Sequence, residues 1–377
     1  MNALSNHQPH WPECHVVVLG GGPAGAAAAI TLARAGRSVV VIEKSLYDRE
    51  RIGETLPPAA RRSLLNLSVW EQFVAAGHLP SPGVLSVWGD EELYQNHFIF
   101  NPYGQGWHLD RRRFDAMLAE VAHRAGASLF CGAHIVSCLP VAVDGWQVEF
   151  TSGGQRHQLR ATFMIDATGR PAALARQQGA KRINGDRLIG LAGLLTARSP
   201  ESGCDACTLV EASPDGWWYS ALLPDARLIA VYMTDADLLP TRPQSRFAFW
   251  QTQLEQTIHT RARRRGFDHQ ASLRVVAASS SRLDRVTGRN WLAAGDAALA
   301  FDPLSSQGMR QALASGISAG EALHRCLSGE AAALGEYGSG TQRVFAEYAR
   351  QHSVYYGRER RWPQSVFWER RQTALAS

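Results

Sequence analysis

The sequence predicts an α/β protein: a Rossmann-like dinucleotide-binding domain, an inserted mostly antiparallel β-sheet domain and a C-terminal helical segment. Three observations predict this fold class. A glycine-rich turn links a strand to a helix near residue 20, residues 188–234 form a β-rich stretch centred on large aromatic side chains, and the chain beyond Gly329 is helical in character. This order is typical of an α/β domain interrupted by a second domain.

The hydrophobic patterning predicts each element in turn. Strands are expected at residues 15–19, 38–42, 129–139, 145–151, 158–161, 163–166 and 291–294, with loose alternation over 83–100. Helices are expected at residues 24–35, 113–125, 244–265 and 308–327, and helical character at 57–77. We assign residues 1–85, 105–175 and 286–328 to the dinucleotide-binding domain, 86–104 and 176–285 to a substrate domain, and 329–377 to the helical segment.

Composition narrows the function classes. A chain of 377 residues suits about two domains. The net charge of +5 comes from scattered basic residues without a basic, aromatic-studded module, so nucleic acid is not an expected partner. No apolar run approaches the roughly 20 residues of a membrane span, and a cytoplasmic protein is expected. Cys204 and Cys207 form a lone pair without a second ligand pair nearby, so no metal site is predicted.

The glycine-rich turn carries the chemistry of the first domain. Gly20, Gly22 and Gly25 have the spacing in which the first glycine permits a tight turn, the second lets a pyrophosphate approach the backbone and the third lets helix and sheet pack closely. The helix N-terminus offers N–H groups and a partial positive charge to the phosphates. Glu43 ends the second strand, about twenty residues on, where an acid binds the ribose hydroxyls.

Three further segments resemble motifs of the group A FAD-dependent monooxygenase superfamily: 163–170 with Asp-Ala-Thr-Gly, 291–309 with Gly-Asp and a Pro-to-Gly loop, and 108–115 with Asp-Arg. The resemblance implies that Asp296 binds the ribityl chain, and that the loop of residues 303–308 with the following helix holds the flavin ring. Arg111 either lies near the cofactor or forms a salt bridge at the helix start. Cofactor contacts are thus expected at Gly20, Gly22, Pro23, Ala24, Gly25, Glu43, Lys44, Arg51, Thr55, Arg111, Val136, Gly169, Asp296, Pro303, Gly308 and Met309.

Residues 51–58, Arg-Ile-Gly-Glu-Thr-Leu-Pro-Pro, resemble the G-E-x-x-x-P segment of flavin-dependent halogenases. Those enzymes carry or position hypohalous acid with a lysine beyond this segment. This chain has no lysine between Lys44 and Lys181, and arginine is a poor substitute because its guanidinium stays protonated. The halogenase W-x-W-x-I-P motif is also altered over residues 216–224. Halogenation is therefore not predicted.

Residues 216–221, 231–235 and 359–371 are similar to a narrower group, the flavoproteins that mature tryptophan-derived quinone cofactors such as cysteine tryptophylquinone. The resemblance implies an FAD-dependent monooxygenase that hydroxylates an electron-rich ring through a flavin C4a-hydroperoxide, with a tryptophan of a precursor protein as target. NAD(P)H or a separate flavin reductase would reduce the FAD. Rival functions are a small-molecule aromatic hydroxylase or halogenase-like enzyme of a biosynthetic cluster, an isoprenoid reductase, and a non-catalytic flavin-stabilised binding partner.

Several residue roles have two interpretations. Glu54 is the candidate catalytic acid or base, or else a structural acceptor for backbone N–H groups. Trp217 and Tyr219 either line the substrate pocket or form a core cluster; strand alternation sends Trp218 to the opposite face. The arginine- and aromatic-rich tail, residues 358–371, either docks a partner chain or packs its aromatics on the FAD domain.

Overall fold

The computed structural model describes residues 12–141, 145–199 and 204–373. The strands run as follows: β1 Glu13–Leu19, β2 Val39–Ile42, β3 Thr55–Leu56, β4 Leu79–Ser81, β5 Gly83–Val87, β6 Tyr94–His97, β7 Gly106–His108, β8 Ser128–Phe130, β9 His134–Pro140, β10 Trp146–Ser152, β11 Gln155–Asp166, β12 Arg182–Asn184, β13 Leu188–Ala197, β14 Thr208–Ser213, β15 Gly216–Leu222, β16 Leu228–Asp235, β17 Phe267–Ala277, β18 Ser281–Leu283, β19 Thr287–Gly288, β20 Trp291–Ala293 and β21 Leu299–Ala300. The helices are α1 Pro23–Arg34, α2 Arg61–Asn66, α3 Trp70–Ala75, α4 Arg111–Arg124, α5 Ala173–Gln177, α6 Arg246–Glu255, α7 His259–Arg263, α8 Gly308–Leu327, α9 Ala333–Arg358 and α10 Val366–Thr373.

The first sheet confirms the predicted α/β fold class. Its central order is β19-β20-β11-β1-β2-β8, and β1 is parallel to both β11 and β2. Val16, Val17 and Val18 are completely buried, as expected of a central strand covered on both faces. The strand β11 is one element where two were expected, because its first half pairs antiparallel with β10 and its second half parallel with β1.

The second sheet has seven strands in the order β17-β13-β16-β15-β14-β5-β6 and is antiparallel except where β14 meets β5. The predicted domain division after residue 85 falls inside β5. Alternation along β15 is confirmed: Trp217 and Tyr219 belong to one buried cluster and Trp218 to the cluster on the opposite face, under Trp250 of α6.

Two helix predictions differ from the structure at their ends. The helix expected at 113–125 begins at Arg111, because the Asp110 side chain accepts hydrogen bonds from the N–H groups of Arg112 and Arg113. The helix expected at 244–265 is divided into α6 and α7. The buried carboxylate of Glu211 on β14 accepts the N–H of Ile258 at 2.8 Å and that of Thr260 at 2.7 Å. These hydrogen bonds cap the start of α7, so a new helix begins there.

The tail packs on the second sheet rather than on the first domain, which corrects the packing alternative of the sequence analysis. Phe367 and Trp368 of α10 are fully buried in the cluster that contains Trp217 and Tyr219, and the Trp368 indole donates to the Ser213 carbonyl at 2.9 Å. The buried Arg371 pairs with Asp235 of β16 at 2.7 Å. No helix in the described ranges has the length and apolar character needed to cross a membrane.

Candidate cofactor and substrate site

The turn between β1 and α1 has the geometry that its glycines predict. Gly20 has φ +100°, and a Cβ there would lie 2.3 Å from the Ala167 carbonyl oxygen. A Cβ on Gly25 would lie 1.9 Å from the Gly20 oxygen. The helix starts with Pro23 after Gly22, and no described side chain caps it. The N–H groups of this first turn are therefore available to a ligand.

Glu43 lies beside this turn and is nearly completely buried. One carboxylate oxygen accepts the Gly21 N–H at 2.6 Å, and the other accepts the Ser45 N–H at 2.8 Å and faces Arg51 Nη2 at 3.3 Å. Burial raises the pKa of Glu43, but these hydrogen bonds and the Arg51 charge outweigh it, so its pKa is lowered overall. The acid that the sequence assigns to the ribose is thus held ionised at the end of β2.

Asp115 of α4 is a central acid that the sequence analysis did not identify. Its buried carboxylate binds Arg51 Nη1 at 3.2 Å and Arg111 through both oxygens, at 3.1 and 3.0 Å. Arg111 also donates to the carbonyls of Ile52 and Gly53 at 3.3 and 3.2 Å. Arg111 therefore forms the salt bridge that was one of its two predicted roles. Asp115 holds both Arg111 and Arg51 beside the turn.

Asp296 follows β20 and keeps 42% of its side chain exposed. Desolvation by surrounding protein raises its pKa, and the charges of Arg170, Arg111 and Arg182 oppose that rise. Arg170 Nε lies 3.7 Å from the carboxylate. The Asp296 carboxylate is therefore surrounded by protein but open to solvent on one side, as in a recess. The resemblance to the monooxygenase superfamily implies that the ribityl chain binds there.

A second helix N-terminus borders the same region. Pro303 opens a short turn, Ser306 adopts φ 49°, and α8 starts at Gly308 with no described side chain as its cap. Among the described atoms, none lies within 4 Å of the position that a Cβ on Gly308 or on Gly169 would take. Met309 is buried just inside the helix. Open space thus adjoins this helix start, and a ligand there would meet free N–H groups.

Glu54 and Tyr219 meet between the two domains. The Tyr219 hydroxyl donates to Glu54 Oε1 and lies 2.6 Å from Thr55 Oγ1. Glu54 Oε2 accepts the Gly53 N–H at 2.9 Å, which is the structural contact that the sequence analysis left open. Burial and the neighbouring Glu54 charge raise the pKa of Tyr219 well above its ordinary value. Tyr219 is therefore a protonated donor at neutral pH.

A solvent-open cleft borders Glu54, and Tyr219 is not among the described residues that line it. The sheet side is apolar, with Ala192, Leu194 and Ile229 on the same face as Tyr219. The opposite side carries Glu54 and Ile52. Arginines surround the cleft, namely Arg51, Arg111, Arg112, Arg113, Arg227 and Arg274.

The residues that line this cleft do not include the predicted site residues Lys44, Val136 and Trp217. Lys44 is exposed at the end of β2. Val136 is 51% exposed in the bulge between β9 and β10. Trp217 has no exposed surface, and its indole N–H donates to the Tyr356 hydroxyl at 2.9 Å. In this conformation Trp217 does not reach the cleft, so its part in substrate binding stays a prediction, as do those of Lys44 and Val136.

The glycine turn, the two uncapped helix starts and the recessed Asp296 fit an extended dinucleotide with a flavin at one end. Ala24 supports this fit by packing 2.7 Å from where a Cβ on Gly295 would lie, which brings α1 against the Asp296 segment. This fold and site define a flavin-dependent oxidoreductase.

Residues 13–351 match the family described as FAD binding domain, and the chain belongs to that family. Over 369 residues it is 29% identical to LodB of Marinomonas mediterranea, named as an FAD-dependent oxidoreductase, covering 96% of this chain and 97% of LodB. The structure of QhpG, a peptidyl tryptophan dihydroxylase essential for tryptophylquinone cofactor biogenesis, is similar with TM-score 0.77 and 27% identity over 96% of this chain and 79% of QhpG. The halogenase CmlS shares the fold, with TM-score 0.85 and 24% identity over 96% of this chain and 68% of CmlS. The predicted enzyme class and FAD cofactor are confirmed.

Proposed function

We propose that this protein is an FAD-dependent monooxygenase that hydroxylates an electron-rich aromatic ring, a tryptophan side chain of a partner polypeptide. The observation that carries the proposal is the lining of the cleft. An apolar sheet face lies on one side and Glu54 on the other, and the described lining residues include arginines but no lysine. Such a cleft can hold an indole ring beside the cofactor.

The missing lysine separates this proposal from halogenation. The chain has two lysines, Lys44 and Lys181, and both are exposed and outside the cleft lining. The cleft arginines stay protonated and are not nucleophiles, so they cannot carry hypohalous acid as the halogenase lysine does. Similarity to halogenases therefore supports the fold and the cofactor rather than their reaction.

Similarity over nearly the whole chain supports the choice of substrate. QhpG is described as acting on a peptidyl tryptophan, and it is 27% identical to this chain. An open cleft with arginines at its mouth also suits a residue presented on a polypeptide better than a pocket closed around a small molecule would.

Bound reduced flavin supplies activated oxygen, and the protein's own residues orient the ring and move the proton. Glu54 faces the cleft and accepts the Tyr219 hydroxyl. We propose that Glu54 accepts the proton that the ring releases on hydroxylation, and that Tyr219 fixes the carboxylate for this step. The apolar sheet face offers a nonpolar surface against which the ring can pack.

Mass spectrometry with labelled oxygen tests this function. The enzyme is supplied with reduced FAD from a flavin reductase, ¹⁸O₂, chloride and bromide, together with free indole, free tryptophan and a tryptophan-containing precursor polypeptide of a tryptophylquinone enzyme. The expected product carries ¹⁸O on tryptophan and no halogen. A halogenated product would overturn the proposal. Label found only on free indole or tryptophan would transfer it to a small-molecule substrate.

A further inference from the structure

Asp302 is a buried acid directly before the loop of residues 303–308, and three side chains of α9 converge on it. Its Oδ2 accepts the Tyr356 hydroxyl at 2.7 Å and His352 Nε2 at 3.1 Å. Its backbone N–H donates to the Tyr348 hydroxyl at 2.9 Å. Its Oδ1 accepts the Leu304 N–H at 2.8 Å, inside the loop itself. The conformation at the start of this loop therefore depends on a helix about fifty residues away.

The three α9 side chains are four residues apart, so they lie on one face of the helix. Tyr348 also stacks on Phe301 with ring centroids 4.1 Å apart, and its hydroxyl lies 2.6 Å from Ser280 Oγ. This face of α9 therefore packs against Phe301 and hydrogen-bonds Asp302, so the contact has both an apolar and a polar part.

Tyr356 has a second partner on the substrate-facing sheet. Its hydroxyl accepts the Trp217 indole N–H at 2.9 Å while donating to Asp302. Trp217 lies two residues before Tyr219 on β15, on the same face of the strand. Burial and the Asp302 charge raise the pKa of Tyr356 well above its ordinary value, so the hydroxyl keeps its proton for this bond.

We propose that Tyr356 is a positioning residue that links the substrate-facing sheet to the cofactor loop, with Asp302 and His352 completing the link. The helix α9 is then part of the cofactor site. The proposal rests on residues 303–308 holding the flavin and not on which ring is hydroxylated.

The release of FAD from the holoenzyme, measured without substrate as the recovery of flavin fluorescence, tests the link. Tyr356→Phe removes the hydroxyl and keeps the ring. We expect release to become about tenfold faster, since a hydrogen bond to a charged group is worth roughly that factor. Tyr232→Phe is the control: Tyr232 is fully buried, but its hydroxyl donates to Gln253 at 3.2 Å on the opposite face of the second sheet. Its release rate should stay within about twofold of the parent.

His352 gives a second pair of variants with less risk to folding, because its side chain is 20% exposed. His352→Leu removes the donor and should speed FAD release, whereas His352→Gln keeps an N–H and should restore it. Equal release rates for Tyr356→Phe and Tyr232→Phe, with equal losses of melting temperature, would mean that Tyr356 only stabilises the fold and would overturn the proposal. Neither result depends on hydroxylation, so the proposed function is tested separately.

Discussion

The Tyr219 hydroxyl connects the second sheet to the segment that contains Glu54 and Thr55. It belongs to the second sheet, yet it bonds Glu54 and Thr55 of the segment that borders the cofactor region. Because both acceptor and donor are buried, the position of the Glu54 carboxylate depends on it. Removing the hydroxyl should therefore affect the chemistry at the cleft more than the folding of the chain.

Tyr219→Phe is expected to slow hydroxylation at least about tenfold, as loss of an oriented acid–base group does. The matched control is Tyr232→Phe, which loses a hydroxyl that donates to Gln253 at 3.2 Å on the opposite face of the same sheet. Each variant should lose about 1 kcal/mol of unfolding free energy. Product formation, measured by mass spectrometry, should fall only in Tyr219→Phe. Equal rates in the two variants would remove Tyr219 from the mechanism.

His108 predicts how stability depends on pH. Its Nδ1 donates to the Leu222 carbonyl at 2.8 Å and its Nε2 lies 2.9 Å from Thr208 Oγ1. Burial lowers the pKa of His108 to about 4, below its ordinary value of 6.5. As the pH falls, His108 is therefore protonated in the unfolded chain before it is protonated in the folded chain. The contribution of His108 to the free energy of unfolding is fully present above pH about 6.5 and is lost as the pH falls toward 4. Between pH 7 and 5 the loss should be roughly 2 kcal/mol.

Urea unfolding of His108→Gln at the two pH values checks this expectation. The variant should be less stable at pH 7 but should lose less than the parent on acidification. His97→Gln is the control, because His97 is exposed on β6. An unchanged pH dependence in His108→Gln would assign the acid sensitivity to other groups, of which His78 is the first candidate because burial lowers its pKa to about 4 as well.

The helix α8 packs closely on α1 at two glycines of α8, Gly316 and Gly320. A Cβ on Gly316 would lie 2.2 Å from the Ala24 carbonyl oxygen, and one on Gly320 would lie 2.8 Å from Thr31 Cβ. Because the first obstacle is backbone, it cannot move aside without shifting α1. The two helices whose starts border the cofactor region are therefore held in a close and fixed relation.

Gly316→Ala should cost about 1–3 kcal/mol of unfolding free energy and should weaken FAD binding. Gly335→Ala on α9 is the matched change, since a Cβ there meets no described atom within 4 Å. It should stabilise the protein by up to about 1 kcal/mol through helix propensity. Urea titration and FAD fluorescence measure both effects. Equal stability of the two variants would contradict the close packing of α1 and α8.

The elements also show what sequence could and could not predict. The turn at Gly20–Gly25 with Glu43 is a local pattern, and its glycine geometry was predictable because neighbouring residues determine it. Asp115 binds an arginine 64 positions away, and Glu211 caps a helix 49 positions on. Nothing in the local pattern around either acid marks these partners. The sequence therefore predicts the part of the site that is a local turn. It does not predict the contacts between residues that are far apart in the chain.

For the whole molecule, the tail acts as a cover of the second sheet. Asp235 accepts Arg371 at 2.7 Å and Arg370 at 2.8 Å, while Glu359 accepts Arg361 at 2.6 Å. The arginines that the sequence offered as a docking surface thus have partners within the chain. Phe367 and Trp368 are fully buried beneath them. Loss of the tail would expose this aromatic cluster.

Asp235→Asn should destabilise the protein by about 3 kcal/mol, because it leaves the buried Arg371 without its charge partner. Asp237→Asn is the control at an exposed site: Asp237 pairs with Arg370 at 2.7 Å and is 41% exposed, so its loss should cost below about 1 kcal/mol. Thermal melting and tryptic cleavage within residues 358–371 report the outcome. Protection of the tail in Asp235→Asn would show that its aromatic contacts alone hold it.

The placement of the two lysines has a practical consequence. Lys44 and Lys181 are exposed, lie outside the cleft lining and are the only lysine amines of the chain. Amine-reactive dyes and surface-coupling reagents would therefore modify lysine side chains at two known positions, in addition to the α-amine of the chain, and leave the arginine-bordered cleft chemically untouched. Such conjugates would allow binding at the cleft to be observed on an immobilised or fluorescent enzyme.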